Sequence, residues 1–281
     1  MKNVLKNCIK RQMFAYDLET AIMTRGYKRE KGLILELSIM DVHQPNKAYT
    51  TFVNPFLEEN VPEDEVDMYL QKHGANLKAT KRHIYNIGWT LKKAKPLKEV
   101  LSNTKQYIND KSNKLPLLIA HNGRGFDHRI LKGNFFKCNM DTPEVLYSDS
   151  LYDISKKAFP NLHSHSLSFL HRTLCTNSNS FNWHTAEDDT RGLVEVIEEC
   201  AFQEVLNNTE KTWHYISNDI AKLTKLNKEL GINLTKQHKF TQNTKKYIEK
   251  CISSSEIKKN AIVKEIVLQY CCDTIWKYRA K

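Results

Sequence analysis

Residues 14–20 read Phe14-Ala-Tyr-Asp-Leu-Glu-Thr20, an apolar run that ends in the pattern Asp-x-Glu. Successive side chains of a strand point to opposite faces, so Asp17 and Glu19 lie on the same face and can meet one ligand. Asp-x-Glu is by itself a common surface pattern. Its meaning depends on whether other segments of the chain supply matching groups.

A second apolar run ends in a glycine-bearing turn and an aspartate. It reads Leu118-Ile-Ala-His-Asn-Gly-Arg-Gly-Phe-Asp127. One explanation of Asp127 is a negative charge at a helix N-terminus, where the helix dipole stabilises it. Asp127 also falls in helical register with Ile130, Leu131 and Asn134, which predicts that it lies on the helix face turned toward the sheet.

The third segment, His184-Thr-Ala-Glu-Asp-Asp189, has a histidine five residues before its second aspartate. Periodicity separates its two aspartates, because Asp189 shares a helical stripe with apolar residues and Asp188 lies on the opposite, polar face. The apolar stripe consists of Ala186, Leu193, Val196, Ile197 and Cys200. Thr185 and Asp188 are spaced like a capping box, which gives Asp188 a structural role.

Four carboxylates and one histidine suit the cleavage of phosphodiesters. That reaction needs a nucleophilic water and a stabilised leaving oxygen, and two divalent ions about 3.5 to 4 Å apart supply both when carboxylates hold them. Oxygen ligands favour Mg²⁺ or Mn²⁺. A histidine beside such a centre can accept a proton near neutral pH, although a lone histidine is more often a solvated loop residue.

Together the three segments resemble the DEDDh 3′→5′ exonucleases, the DnaQ-like superfamily, whose motifs are D-x-E, a strand ending in N-x-x-F/Y-D, and H-x-x-x-x-D. Asn122 precedes Phe126 by one residue more than in the commonest spacing. The run His184-Thr-Ala-Glu is most similar to the three-prime repair exonucleases. His121-Asn-Gly and Ser164-His-Ser-Leu also look like family segments.

The resemblance implies roles for five residues. The metal ligands are Asp17, Glu19, Asp127 and Asp189, which bind two Mg²⁺ ions or, as a substitute, Mn²⁺, and the general base is His184. The implied enzyme releases nucleoside monophosphates from the 3′ ends of nucleic acid, with single-stranded or frayed DNA preferred. A 3′→5′ exoribonuclease is the alternative, because motif spacing does not reveal contacts to the 2′-hydroxyl. An alternative of another class is a non-catalytic protein that keeps the fold and binds nucleic acid or docks on a partner.

Candidate substrate contacts come from the same motifs. They are Leu18, Thr20, Ala21, Ile22, His121 and Asn122. Many relatives continue the first motif with Thr-Gly-Leu, a wedge against the terminal base, but here Ala21-Ile-Met-Thr-Arg25 follows. Either Ile22 or Met23 replaces that wedge, or they pack on the sheet. Phe181 and Trp183 either stack on bases or are buried within the protein.

The order of predicted elements indicates an α/β chain. Five strands are predicted, at 13–16, 33–42, 48–53, 115–120 and 145–151, the first three as an antiparallel meander and the last two in strand-helix units that pair in parallel. Helices are predicted after Pro96, from about Asp127, over 151–159 and after His184. With the resemblance, this pattern predicts a ribonuclease H-like exonuclease fold with a mixed five-stranded sheet flanked by helices.

The chain divides into two predicted parts, a DEDDh exonuclease domain over 1–205 and a basic α-helical appendage over 206–281. From Leu206 onward there are fifteen Lys and Arg against seven Asp and Glu, and the net charge of all 281 residues is +11. Such an appendage is expected to bind a nucleic-acid backbone or a protein partner, although basic clusters are more often solvated helix faces.

Seven cysteines without a Cys-x-x-Cys pair favour a reducing compartment over a secreted disulfide framework. The first ten residues lack the apolar core of a signal peptide, and no stretch approaches the length of a membrane span. An intracellular location, in the cytoplasm or nucleus, and no membrane partner are therefore expected.

Zinc-type ligands also occur in one region of the sequence. They are His163, His165, His171 and Cys175. Their spacing is irregular, and three of them surround a segment that the family uses structurally, so the sequence does not predict a zinc site.

Overall fold

The computed structural model of the chain describes residues 12–21, 32–54, 57, 94–112, 115–175 and 181–207. Six strands lie within these ranges: β1 (Met13–Ala21), β2 (Leu33–Asp41), β3 (Tyr49–Asn54), β4 (Lys95–Pro96), β5 (Leu117–Ala120) and β6 (Leu146–Asp149). The α-helices are α1 (Leu97–Lys111), α2 (Asp127–Lys137), α3 (Lys156–Ala158), α4 (Leu167–Leu174) and α5 (Ala186–Asn207). A π-helical segment, Ser150–Ser155, runs directly into α3.

The strands form one sheet in the order β4-β3-β2-β1-β5-β6. β1 and β2, and β2 and β3, pair antiparallel, whereas β1, β5 and β6 pair in parallel. This order and these directions are those of the ribonuclease H-like exonuclease fold, and the predicted class is confirmed. The sixth strand, β4, was not among the five predicted, because a two-residue edge strand is too short to show a period of two.

β1 is longer than its apolar run predicts. It continues to Ala21 because β2 pairs with it from Phe14 onward, with an irregularity in register between Glu19 and Thr20. Its alternation divides the strand into two faces. Phe14, Tyr16 and Leu18 are buried in the hydrophobic core, whereas Asp17 and Glu19 remain partly accessible on the other face. The polar half of β1 therefore pairs with β2, as the apolar half does.

The core joins β1 and its neighbouring strands to helices α1 and α2. Its helical members are Leu97, Val100, Leu101, Ile108, Ile130, Leu131 and Phe135. In α1 these residues follow the stripe expected after Pro96, and in α2 they follow the stripe that begins at Asp127. Packing of α2 on this core fixes the position of its first residue, Asp127, beside the sheet.

A buried hydrogen-bonded chain links β1 to α2 and β6. The Tyr16 hydroxyl lies 2.6 Å from Nδ1 of His128, and Nε2 of His128 lies 2.9 Å from the Ser148 carbonyl oxygen. Because a carbonyl only accepts, Nε2 carries the proton and Nδ1 accepts from the Tyr16 hydroxyl. The His128 ring lies against Gly123, where a Cβ would come within 2.5 Å of the ring. Tyr16 and His128, the sequence neighbours of Asp17 and Asp127, are thus joined by a buried hydrogen bond.

The chain separates into two compact units, Met1–Glu199 and Cys200–Lys281. Apart from the end of α5, the predicted appendage over 206–281 lies outside the described residues, and the predicted boundary after 205 stays a prediction. The helices that the structure describes include none with the length and apolar character needed to traverse a bilayer.

We expect Gly123→Ala to lower the free energy of unfolding by about 1 to 3 kcal/mol, because the new methyl group overlaps the buried His128 ring. Urea denaturation of the metal-free protein measures this change. Gly125→Ala is the matched control: the three heavy atoms nearest to its new Cβ, the closest at 2.9 Å, all belong to the exposed Asn122 side chain, which can rotate away. The control should change stability by no more than about 0.5 kcal/mol. Equal losses in both variants would contradict the role given to His128.

Candidate active site

Asp127 lies against the middle of β1. Its Oδ1 accepts a hydrogen bond from the backbone N–H of Leu18 at 3.3 Å, and its side chain is almost fully buried. β1 and β5 pair only over Met13 to Ala15, so the Leu18 N–H lies beyond that ladder and is met by the Asp127 carboxylate. This bond brings Asp127 next to the Asp17 carboxylate, since Leu18 follows Asp17 directly.

The third segment approaches from the short loop before α5. Ligand atoms of Glu19, His184 and Asp189 all lie within 4.8 Å of one another. The His184 backbone N–H donates to Oδ1 of Asp189 at 3.1 Å, and His184 adopts the left-handed conformation with φ of 76°. Few residues other than glycine take this conformation, so the loop is held by specific contacts at this point.

Asp188 lies beside Asp189 in sequence but has different partners. Its Oδ2 accepts from the Asn182 backbone N–H at 2.9 Å, and its Oδ1 pairs with Arg191 at 3.1 Å. The Asp188 backbone N–H is 3.3 Å from the Thr185 hydroxyl, which therefore caps the start of α5. Asp188 holds the loop and the first helical turn together, whereas Asp189 faces Glu19 and His184.

Aromatic rings support the loop that carries His184. Phe181 and Trp183 stack with centroids 5.1 Å apart, and both meet the edge or face of the His171 ring, at 4.3 and 5.3 Å. Trp183 also lies over Gly192 of α5, where a Cβ would come within 2.7 Å of the indole. Of the two alternatives left open by the sequence, these contacts favour aromatic packing within the protein over base stacking.

The four carboxylates repel one another in a poorly solvated pocket. Burial, and next the Asp189 charge, raises the pKa of Glu19 to about 8, and burial raises the pKa of Asp127 to about 7. Burial, followed by the Asp127 charge, raises the pKa of Asp17 well above its usual range. Burial also raises the pKa of Asp189, against the lowering effect of the His184 N–H. A cluster of oxygen ligands with this excess of negative charge suits hard divalent cations.

Glu36 of β2 is a further carboxylate of this site, which the sequence analysis missed. It lies opposite Glu19 in the β1–β2 ladder, and its Oε2 accepts from the Ala186 backbone N–H at 3.2 Å. Glu36 therefore binds the N-terminus of α5 from the sheet, close to the loop that holds His184. A single glutamate in the otherwise apolar run Leu33-Ile-Leu-Glu-Leu was the available signal.

The candidate substrate contacts fall into different environments. Leu18 is buried, Thr20 is half-buried, and Asn122 is exposed with φ of 55°. His121 uses both ring nitrogens within the protein, since Nε2 donates to the His165 carbonyl at 2.8 Å and Nδ1 lies 2.9 Å from the Ser150 hydroxyl. The Ala21 side chain and the whole of Ile22 lie outside the described part of the chain.

The sequence matches no protein-family model, and comparison with curated proteins finds no match. In three dimensions the chain is similar to exonuclease I. A structure of exonuclease I that suggests how processivity is achieved is 11% identical to this chain, with a TM-score of 0.46. The match covers 68% of this chain and 41% of that chain. E. coli exonuclease I with a dA16 oligonucleotide is 10% identical with a TM-score of 0.47, over 73% and 44%. The zinc-bound complex of E. coli exonuclease I with single-stranded DNA is 10% identical with a TM-score of 0.46, over 76% and 45%.

This chain therefore spans less than half the length of each of these exonuclease I structures. At these identities and TM-scores the likeness does not bear on substrate or mechanism. The closer resemblance to three-prime repair exonucleases rests on the sequence motif alone.

We expect the metal-free protein to lose stability as pH rises from about 5 to 8.5. Because the pKa values of Glu19 and Asp127 are raised in the folded protein, folding favours the protonated forms of both side chains. This contribution to stability is complete below the unfolded pKa values near 4. It is lost as pH rises through about 7 for Asp127 and about 8 for Glu19. Saturating Mg²⁺ should reduce the loss, because a cation binds the charged carboxylates. Thermal unfolding across this pH range, in EDTA and in Mg²⁺, makes the comparison. Parallel curves in the two buffers would contradict a cation site among these groups.

We expect Glu36→Ala to lower the activity of this site by roughly 10- to 100-fold, the usual effect of losing a group that orients ligands. Glu36→Gln should keep most of the activity, since an amide oxygen still accepts from the Ala186 N–H. Initial rates at saturating Mg²⁺ test the pair. If Glu36→Gln is as inactive as Glu36→Ala, the negative charge is required and Glu36 acts as more than a positioning residue.

Proposed function

We propose that the chain is a metal-dependent 3′→5′ exonuclease that releases nucleoside monophosphates. One observation carries the proposal: carboxylates from three distant segments converge with a histidine, although burial, and after it the charges of neighbouring carboxylates, raises the pKa of each. A fold does not keep such a cluster for stability, because removing the charges would relieve the repulsion. The 3′→5′ direction rests on the resemblance of the three motifs to DEDDh exonucleases.

The residues divide into two roles. Asp17, Glu19, Asp127 and Asp189 would hold two Mg²⁺ ions, for which Mn²⁺ is a substitute with the same preference for oxygen. Two such cations, when bound, favour attack by water and stabilise the departing oxygen of the phosphodiester. His184 accepts the proton of the attacking water, and the bond from its backbone N–H to Asp189 keeps its ring near the carboxylates.

The preferred substrate is DNA, single-stranded or frayed at its 3′ end, on the basis of the run His184-Thr-Ala-Glu. The exoribonuclease alternative differs in contacts to the 2′-hydroxyl. We also propose that the basic segment 206–281 contributes to binding, either of the nucleic-acid backbone or of a protein partner, and that the protein acts inside the cell.

A 3′-end assay tests the function directly. Matched single-stranded DNA, duplex DNA and RNA oligonucleotides, labelled at either end, are incubated with Mg²⁺, Mn²⁺ or EDTA. Mononucleotides released from the 3′ end of DNA in Mg²⁺, and not in EDTA, support the proposal. Faster release from RNA would favour the exoribonuclease, and binding without release in any metal would favour a non-catalytic nucleic-acid-binding protein.

We expect Asp189→Asn to abolish metal-dependent cleavage without unfolding the protein, because it removes a charged metal ligand at constant volume. The same result is expected for Asp17→Asn, Glu19→Gln and Asp127→Asn. Nucleotide release and circular dichroism measure activity and folding in each variant.

Asp188→Asn is the matched control for Asp189→Asn, since the two residues are adjacent on α5. Asp188→Asn should lower the free energy of unfolding by about 0.5 to 1 kcal/mol, because the contacts at the helix start become weaker. It should change activity little. If Asp188→Asn were inactive and Asp189→Asn active, the metal ligand would be Asp188, and its assignment to Asp189 would be wrong.

We expect His184→Ala to lower turnover by roughly 10² to 10⁴, the usual range for a lost general base, with substrate binding retained. Added imidazole should restore part of the activity, because the His184 side chain is exposed and a small base can enter its place. His163→Ala, at another exposed histidine, is the control and should neither lose activity nor respond to imidazole. Full activity of His184→Ala at every pH would remove this residue from the mechanism.

A further inference from the structure

A second cluster of potential metal ligands lies behind the loop that carries His184. It joins His171 of α4, Cys175 at the end of that helix, and Glu195 of α5. One ligand atom of each lies within 4.8 Å of the other two, and Nε2 of His171 is 2.7 Å from Oε2 of Glu195. None of these residues belongs to the carboxylate site.

Local structure explains why these ligands meet. His171 and Cys175 are four residues apart, and the Cys175 backbone N–H donates to the His171 carbonyl at 2.9 Å, so one helical turn aligns their side chains. Glu195 projects from α5 one turn after Gly192, whose missing side chain makes room for Trp183 beside His171. Two helices therefore supply ligands to a single point, and the close contact at Gly192 keeps the helices together.

Aromatic side chains pack against the cluster. His171 is about 5% exposed, and the rings of Phe181 and Trp183 cover it at centroid distances of 4.3 and 5.3 Å. Cys175 and Glu195 are partly accessible, which leaves an entry path. A shell of this kind holds the imidazole in one orientation, and its low dielectric strengthens the attraction between a cation and a thiolate or carboxylate ligand.

We propose that His171, Cys175 and Glu195 form a binding site for a divalent cation of the zinc class. Thiolate, imidazole and carboxylate are the ligands that zinc prefers, whereas Mg²⁺ prefers oxygen alone. Binding through Nε2 replaces its hydrogen bond to Glu195 and leaves the imidazole proton on Nδ1, while the thiol proton of Cys175 is released to solvent. One thiolate and one carboxylate then neutralise the charge of Zn²⁺, and a water completes the tetrahedron. Such an ion crosslinks α4 to α5 beneath Trp183 and His184.

Cobalt spectroscopy separates this site from the carboxylate centre. Co²⁺ bound by a thiolate gives an intense charge-transfer band in the near ultraviolet, which a site of oxygen and imidazole ligands lacks. Co²⁺ is titrated into the reduced full-length chain, and the band is then displaced with Zn²⁺. We expect one equivalent of Co²⁺ to generate the band in the wild type and in Asp17→Asn, since the latter changes only the carboxylate centre.

The variants decide which thiolate binds. Cys175→Ser should abolish the band, whereas Cys138→Ser, at the buried cysteine after α2, should retain it. Glu195→Gln should weaken Zn²⁺ binding roughly 10- to 100-fold. Metal-free melting curves of wild type and Cys175→Ser should coincide, and added Zn²⁺ should raise the Tm of the wild type by more than that of Cys175→Ser, which keeps only the carboxylate centre. Absence of a band in the wild type, or a band of equal intensity in Cys175→Ser, would overturn the proposal, and neither result bears on nuclease activity.

Discussion

Three backbone N–H groups hold carboxylates of the candidate site that repel one another. Leu18 donates to Asp127, His184 donates to Asp189, and Ala186 donates to Glu36. Each bond offsets part of the cost of a poorly solvated negative charge. Each also joins a different pair of elements, namely β1 with α2, the loop with α5, and β2 with α5. The tertiary arrangement and the electrostatics of the site therefore depend on the same contacts.

Much of the fold could be predicted from the sequence because its signals are periodic. Apolar runs marked five of the strands, and the alternation in β1 separated the buried Tyr16 from Asp17. Helical periodicity distinguished Asp189 from Asp188, whose partners are Asn182 and Arg191 in the structure. Periodicity does not report an edge strand of two residues, nor the wider turns of a π-helix, because neither repeats.

The candidate site was predicted less completely than the fold. Motifs marked residues that touch the proposed cations, but Glu36 acts through the start of a helix far along the chain, and a lone charge in a strand has no spacing to recognise. The same limit applies to His171 and Glu195, whose contact depends on how α4 and α5 pack. The role of His121 was also hidden, since its hydrogen bonds to His165 and Ser150 form only in the folded chain. Long-range polar contacts of this kind have no local pattern.

β1 diverges from β5 beyond Ala15, and the Leu18 amide is then bonded by a carboxylate instead of a neighbouring strand. An amide in a ladder exchanges its hydrogen when strands separate, whereas this one exchanges when Asp127 turns away or gains a proton. The Leu18 N–H is thus a built-in reporter at the middle of the sheet. Its exchange rate and chemical shift follow the ionisation of Asp127 together with the carboxylates around it, and they do so without any substrate being turned over.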